Sequence, residues 1–418
     1  MNMGLFHDPV MMAPTWGAIL MCLSASLVGV IAFVRQRSLV GEALSHATYP
    51  GVILGAMLGS AYSLVGAFVF ALLGLMAMHF LQKRLRLSSD AALCAILTAF
   101  LGLGVLLASR LQFTRPMLYS QVQVFLYGQS ATMVTRDLAV YAGLAAVTLV
   151  FVIVLFQHIK VVNFDRDFAS CCGISTQLID VLTLVLLALA VVIGLRSVGV
   201  VLMSGMLVAP AVAARRLTHK LSTMLIWAAV IGMASGLFGT LLSVQFSVGL
   251  PTGPMIVLLA SAFSLLAMLF APGQGLVVRH YRIMRFKRMC KIENDLKLLW
   301  KMGACSLKEL QIRSDRSLFA LRLSLLRLSY QGFVKRQKNT FSLSLDGVRR
   351  ASQIIRLHRL WEVYLPSQLG IEADKLHRSA EEMEHILTPE LEVRLTKLLR
   401  NPKKDPHAQP IPSSEVWQ

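Results

Sequence analysis

Ser38-Leu39-Val40-Gly41-Glu42-Ala43-Leu44-Ser45-His46-Ala47-Thr48-Tyr49-Pro50-Gly51 opens an apolar stretch that continues to residue 60. Glu42 and His46 are four apart, so on a helix they share one face, with Ser45 beside them. A charge deep in a bilayer costs roughly 2.5–3.5 kcal/mol even on lenient scales, so it has a pairing or a functional reason to be there. A carboxylate with a neutral imidazole suits transient binding of a borderline divalent metal. Alternatively the segment lies at a cytoplasmic helix end, where Arg35 or Arg37 neutralises Glu42. The residues alone leave both readings open.

Outward from this segment, apolar stretches of membrane-spanning length recur. They lie near 16–34, 41–60, 64–82, 91–110, 137–157, 177–195, 199–214, 221–243 and 254–271. About 20 residues at 1.5 Å each cross a ~30 Å hydrocarbon core as a helix. The stretches 41–60 and 199–214 carry polar residues and are expected to be the irregular ones, re-entrant or broken. Arg35/Arg37, Lys83/Arg84/Arg86, Lys160/Arg166, Arg215/Arg216/Lys220 and the cluster Arg279–Arg288 fall on one side of nine alternating spans. The other side holds Arg110, Arg115, Arg136 and Arg196. The positive-inside rule then places the C-terminal part in the cytoplasm. No basic n-region with a cleavage site is seen at the N-terminus, so no removable signal peptide is expected.

Composition agrees and adds a second feature. Of 418 residues, 56% are hydrophobic and 15% charged, which argues against a soluble enzyme, yet the formal net charge is +19. Residues 1–278 hold 14 basic and 7 acidic side chains, 279–360 hold 20 and 5, and 361–418 hold 7 and 10. The fold expected is therefore an α-helical membrane protein of about eight or nine transmembrane helices, followed by cytoplasmic modules. The boundaries are a membrane domain at 1–278, a basic module at 279–350 and a helical module at 351–418, with a basic linker at 273–291. The six cysteines form no CxxC pair, so neither a zinc ribbon nor a redox motif is expected.

In the basic module, Glu293–Met302 reads as a helix and Ser306-Leu-Lys-Glu309 as a capping box opening a second. Leu318–Tyr330 reads as a third, with Leu321, Leu325 and Leu328 inward and Arg322 and Arg327 outward. Phe333–Gln337 and Thr340–Leu345 read as a hairpin. Three helices and a hairpin in that order form a winged helix-turn-helix, whose third helix lies in the major groove while the wing touches backbone. Ser317, Arg322, Arg327, Lys335 and Arg336 are the candidate DNA contacts, and the local excess of positive charge fits phosphate binding. Attraction of a basic domain to anionic lipid is the composition-level alternative.

In the last module His358 and Glu362 are four apart, and His377, Glu381, Glu384 and His385 fall on one helical stripe. Three imidazoles and three carboxylates suit Mn(II), Fe(II) or Zn(II) better than copper. Glu382, Glu293, Asn294 and Asp295 are secondary candidates.

Five segments resemble two known families. Gly41-Glu-Ala-Leu-Ser-His-Ala47 resembles the signature of bacterial ABC-type permeases for manganese, zinc and iron, with Glu42 where that family usually has Asp. The resemblance implies that Glu42 and His46 line the metal pathway. Val198–Leu217 resembles the permease segment that ends in a short helix docking on the ATPase. This implies coupling roles for Val208, Ala209, Pro210, Arg215 and Arg216, with Pro210 expected to break the helix. No Walker A pattern occurs, so the ATPase is expected to be a separate chain and the permease itself no enzyme. A solute-binding protein outside and a homodimeric or paralogous permease partner are implied as well.

His358-Arg-Leu-Trp-Glu362, the run His377–His385 and Asp405–Pro412 resemble the metal-binding and dimerisation domain of the diphtheria-toxin-repressor and manganese-regulator family. That resemblance implies His358, Glu362, His377, Glu381, Glu384 and His385 as ligands, and Glu381 favours Mn(II), then Fe(II). The combined expectation is an importer permease in a bacterial inner membrane, fused to a metal-dependent repressor that binds operator DNA. A tail that gates the permease without DNA, or a membrane part that merely anchors a transcription factor, are the rival expectations. Proteolytic release within 273–291 would free the repressor.

Overall fold

The computed structural model describes residues 9–36, 39–59, 62–128, 133–245, 250–314, 316–369, 389–407 and 409–412. The chain forms two compact units, Met1–Arg279 and His280–Gln418. In the first unit the helices are α1 (Pro9–Val34), α2 (Val40–Leu58), α3 (Ser63–Arg84), α4 (Ser89–Thr114), α5 (Pro116–Tyr127) and α6 (Thr135–Phe164). They continue as α7 (Arg166–Cys171), α8 (Thr176–Val198), α9 (Val200–Leu217), α10 (Leu221–Gln245) and α11 (Thr252–Phe270).

Seven of these, α1, α3, α4, α6, α8, α10 and α11, are long and apolar enough to cross a membrane. The other two expected spans, α2 and α9, are uninterrupted helices of 19 and 18 residues rather than broken ones. Both are largely buried among the other helices, which is where polar side chains in a membrane bundle belong. Pro210 lies inside α9 and does not end it. Neighbouring helices accommodate the missing backbone donor in such a bundle. Arg215 and Arg216 occupy its last turn, so Ala211–Leu217 completes the same helix and is not a separate short one.

Small residues let these helices approach. A Cβ on Gly51 of α2 would lie 2.3 Å from the Gly66 carbonyl oxygen of α3, and a Cβ on Gly29 of α1 would lie 2.0 Å from that of Leu207 on α9. Such backbone-to-backbone contacts are the usual substitute for hydrophobic driving force between helices in lipid. Ion pairs identify the two ends of the bundle. Arg35, at the end of α1, meets Asp180 at the start of α8 at 2.8 Å and Asn163 at the end of α6 at 2.9 Å, and Arg166 meets Asp180 at 2.6 Å. At the opposite end Arg196 of α8 meets Asp137 of α6 at 2.8 Å. This sorting agrees with the sides assigned from loop charge.

The second unit follows α12 (Leu276–Met302) with β1 (Cys305–Ser306), α13 (Leu307–Ser314), α14 (Leu318–Tyr330), β2 (Val334–Gln337), β3 (Thr340–Leu343), α15 (Leu345–Leu369) and α16 (Pro389–Leu398). The strands form an antiparallel sheet in the order β1-β3-β2, with Val334 opposite Leu343 and Cys305 opposite Phe341. Leu296, Leu299, Leu310, Leu321, Leu325, Leu328, Val334 and Phe341 close a core made of this unit's residues alone. The order of elements is that of a winged helix. The capping box forms as expected: Ser306 N donates to Glu309 Oε2 at 2.7 Å, and Glu309 N to Ser306 Oγ at 3.4 Å. The stretch 273–291, read as a linker, is helical from Leu276 onward.

Candidate functional site

The membrane candidate is built on α2. Leu39 precedes its first turn without a side-chain cap, and Glu42 stands in that turn, where a carboxylate complements the exposed N–H groups. Ser45 Oγ donates to the Gly41 carbonyl at 2.7 Å and Thr48 Oγ1 to that of Ser45 at 2.6 Å, so both hydroxyls are committed to the helix. His46, one turn beyond Glu42, has a buried Nδ1 without a hydrogen-bond partner among the described residues. Glu42 likewise has no ion-pair partner among them, and Arg35 lies in the Asp180 and Asn163 network. The two donors thus share a face of a helix packed against α3, α4, α8 and α9. No third metal-binding side chain joins them among the described residues.

On α9, Pro210 is buried, Val208, Ala209 and Arg216 are half-buried, and Arg215 is exposed. Arg215 donates to the His219 carbonyl at 3.4 Å, and the His219 ring meets Gln274 at 2.7 Å, which ties the end of α9 to the segment after α11.

In the tail, His358 and Glu362 face one another across a turn of α15, Nε2 to Oε1 3.2 Å, with side chains 12% and 4% exposed. They fit one half of a buried nitrogen–oxygen site. His377, Glu381, Glu384 and His385 lie outside the described residues, as does Glu382. The three secondary candidates on α12 are less suited. Asp295 is 1% exposed and accepts from Arg316 at 2.6 Å and from Ser324 at 2.5 Å, which ties α12 to α14. Burial raises its carboxyl above the ordinary value, against the lowering effect of Ser324 and Arg316. Glu293 pairs with Arg350 at 2.6 Å. Asn294 keeps a buried Oδ1 with no partner among the described residues.

Sequence reading missed two arginines beside the ligand pair. Arg356 is 3% exposed and donates to Glu392 at 3.0 Å, Thr396 at 3.2 Å and the Pro412 carbonyl at 2.6 Å. Arg359 meets Gln409 at 3.0 Å, Asp405 at 3.5 Å and the carbonyl of Pro410. Together they hold the C-terminal segment against α15, and Asp405 closes a turn by accepting from His407 N and Gln409 N. The available signal was two arginines placed on the apolar stripe of an amphipathic helix.

Of the candidate DNA contacts, Ser317 is the N-cap of α14, accepting from Ala320 N at 3.4 Å. Arg322, Arg327, Lys335 and Arg336 are exposed, and Arg336 lies over the Phe341 ring at 5.9 Å.

Residues 7–271 match the model of the ABC 3 transport family, and residues 345–413 match that of the iron dependent repressor, metal binding and dimerisation domain. A probable metal transport system membrane protein of Chlamydia trachomatis is 34% identical over 98% of this chain and 97% of its own length. The manganese transport system membrane protein MntC of Bacillus subtilis is 32% identical over 86% and 85%. Among solved structures, PsaBC from Streptococcus pneumoniae in complex with Fab covers 65% of this chain and 95% of its own, with TM-score 0.58 and 28% identity. The chain belongs to the ABC 3 transport family, and its C-terminal part carries a metal-binding repressor domain.

Proposed function

We propose that the chain is the membrane-spanning subunit of an ATP-driven importer of divalent metal, and that its tail represses uptake when cytoplasmic metal is high. The observation that carries the transport half is the Glu42–His46 pair on buried α2, in a chain whose relatives are metal permeases. Metal arrives from a solute-binding protein on the outer face. Glu42 supplies the negative charge that offsets dehydration of the cation, and His46 supplies a nitrogen donor. A separate ATPase chain acts on α9 at Val208–Pro210 and Arg215/Arg216, and two permease copies or a paralogous pair complete the pore. The tail lies on the cytoplasmic side of an inner membrane.

Mn(II) is the ion we propose, for the carboxylate that Glu381 adds to the donor set and for the manganese transport protein among the relatives, with Fe(II) second and Zn(II) third. In the tail His358, Glu362, His377, Glu381, Glu384 and His385 would hold the same ion. Bound metal favours the dimeric, DNA-competent form by mass action. Arg322, Arg327, Lys335 and Arg336 then contact phosphates. The transport reading is tested by uptake of radioactive Mn(II) in cells expressing the chain with its ATPase. Glu42→Ala and His46→Ala are each expected to reduce uptake at least about tenfold at unchanged membrane abundance. Uptake equal to wild type in both variants refutes it.

A further inference from the structure

The outward face of α14 is not what a reader of DNA bases requires. Leu321, Ser324, Leu325 and Leu328 of this helix are buried in the core. At 100° per residue the line opposite them runs through Leu326, Phe319, Tyr330 and Leu323. These side chains are 52%, 79%, 95% and 43% exposed. Arg322 flanks this apolar crest on one side and Arg327 on the other. Base edges in the major groove are read by bidentate hydrogen bonds, and the crest offers a single hydroxyl, that of Tyr330. An apolar strip of this size on a charged domain marks a contact surface.

We propose that this crest docks on the anionic cytoplasmic leaflet of the membrane the chain itself spans, with Phe319, Leu323, Leu326 and Tyr330 entering the headgroup boundary and Arg322 and Arg327 on lipid phosphates. Interfacial helices have this pattern of bulky apolar side chains between basic ones. A second copy of the chain would bring Arg322 and Arg327 against their like charges, whereas an anionic surface complements them. An independent segment points the same way. The last apolar helix, α11, ends at Phe270, and α12 begins six residues later at Leu276. The first part of α12 interleaves exposed Tyr281, Ile283, Met284, Phe286 and Met289 with Arg279, Arg282, Arg285, Lys287 and Arg288. Juxtamembrane basic clusters of this kind bind anionic lipid. Arg285 and Arg288 of that segment line a cleft of about 620 Å³ with Arg327 of α14, so the two basic surfaces adjoin within the tail.

The consequence is regulatory. The proposal rests on the reading that the tail faces the cytoplasm, and it makes bilayer and DNA competitors for one helix. The full chain is placed in nanodiscs of phosphatidylcholine alone or with phosphatidylglycerol. The accessible Cys94, Cys171, Cys172 and Cys290 are replaced by serine, and Phe319→Cys carries an environment-sensitive dye. With anionic lipid the dye is expected to shift to the blue and to be quenched by shallow doxyl-labelled lipid. Arg322→Glu with Arg327→Glu should reduce that signal at least about tenfold, in line with the worth of each basic residue at a charged leaflet. Dye emission unchanged between the two lipid compositions overturns the proposal.

A second measurement guards against a labelled chain that fails to fold. The tail 280–418, which closes its own core, should sediment with phosphatidylglycerol vesicles and lose this on Leu323→Ser with Leu326→Ser, and absence of sedimentation by the unaltered tail also overturns docking. Duplex DNA is then titrated in. Displacement of the dye from the bilayer supports competition. DNA binding with the dye in water at every composition removes the docking and leaves the repressor reading intact. A docked dye with no DNA binding by nanodisc or free tail removes the repressor reading and leaves docking intact.

Discussion

Replacing Asp295 by alanine separates a structural carboxylate from a metal ligand. Asp295 receives two hydrogen bonds, from the Arg316 guanidinium at 2.6 Å and the Ser324 hydroxyl at 2.5 Å. Arg316 keeps 21% of its side chain exposed and can turn to water, so the lost ion pair is only partly felt. Ser324 is 4% exposed and would be left without its acceptor, a loss of about 1–3 kcal/mol. Removing a buried carboxylate returns part of its dehydration cost, so the net expectation is about 2–3 kcal/mol of destabilisation at neutral pH. That corresponds to a fall of roughly 10 °C in the melting temperature of the tail 280–418.

Asp295→Asn preserves shape and an acceptor for Ser324, and is expected to cost about half as much. Because burial raises the Asp295 carboxyl, the folded tail holds that proton more tightly than the unfolded chain does. The proton-linked part of its contribution is present below the ordinary aspartate value and is lost as pH rises through the folded value, and Asp295→Asn removes this slope. That part comes on top of the hydrogen bonds from Arg316 and Ser324, which hold at neutral pH. The assay is thermal unfolding followed by circular dichroism, without metal and with Mn(II), across pH 4 to 7. If Asp295→Ala melts with the wild type in the absence of metal and loses only the stabilisation given by Mn(II), Asp295 is a ligand and the structural account is wrong.

Four further outcomes follow from the packing. Gly29→Ala places a methyl within 2.0 Å of the Leu207 carbonyl oxygen, so the α1–α9 contact must open. Size-exclusion profiles of detergent-solubilised protein should show a loss of the monodisperse peak, and a wild-type profile contradicts it. Asp180→Ala leaves Arg35, 7% exposed, without its carboxylate and should lower the apparent melting temperature of the solubilised chain by several degrees. Arg166→Ala, whose side chain is 56% exposed, should change it little. Arg356→Ala removes three anchors of the C-terminal segment, and limited proteolysis should then cut within 392–412 at least tenfold faster while the winged-helix core stays protected.

Much of this architecture is legible locally. Apolar runs of spanning length, the Ser306–Glu309 box and the inward leucines of α14 depend on neighbours within a few residues. The Glu42–His46 pair is read from helical spacing in the same way. What escapes depends on partners far along the chain. The role of Asp295 is set by Arg316 and Ser324, 21 and 29 residues away, and that of Arg356 by residues 36 to 56 away. The helical continuation of α12 into 276–291 has no apolar stripe to announce it, since its apolar and basic residues alternate around the whole surface. Pro210 reads as a helix breaker in water, but inside a helical bundle α9 runs through it. On α14 the outward arginines were visible, yet the apolar line between them emerges only when the buried face is fixed.

The most direct test of the account is binding of the tail 280–418 to DNA from the promoter of its own transcription unit, by fluorescence anisotropy at fixed salt with and without Mn(II). The expected result is binding that Mn(II) strengthens at least about a hundredfold and that Glu362→Ala makes insensitive to metal. Affinity that is equal with and without Mn(II) would contradict the claim that this importer subunit carries its own metal-dependent repressor.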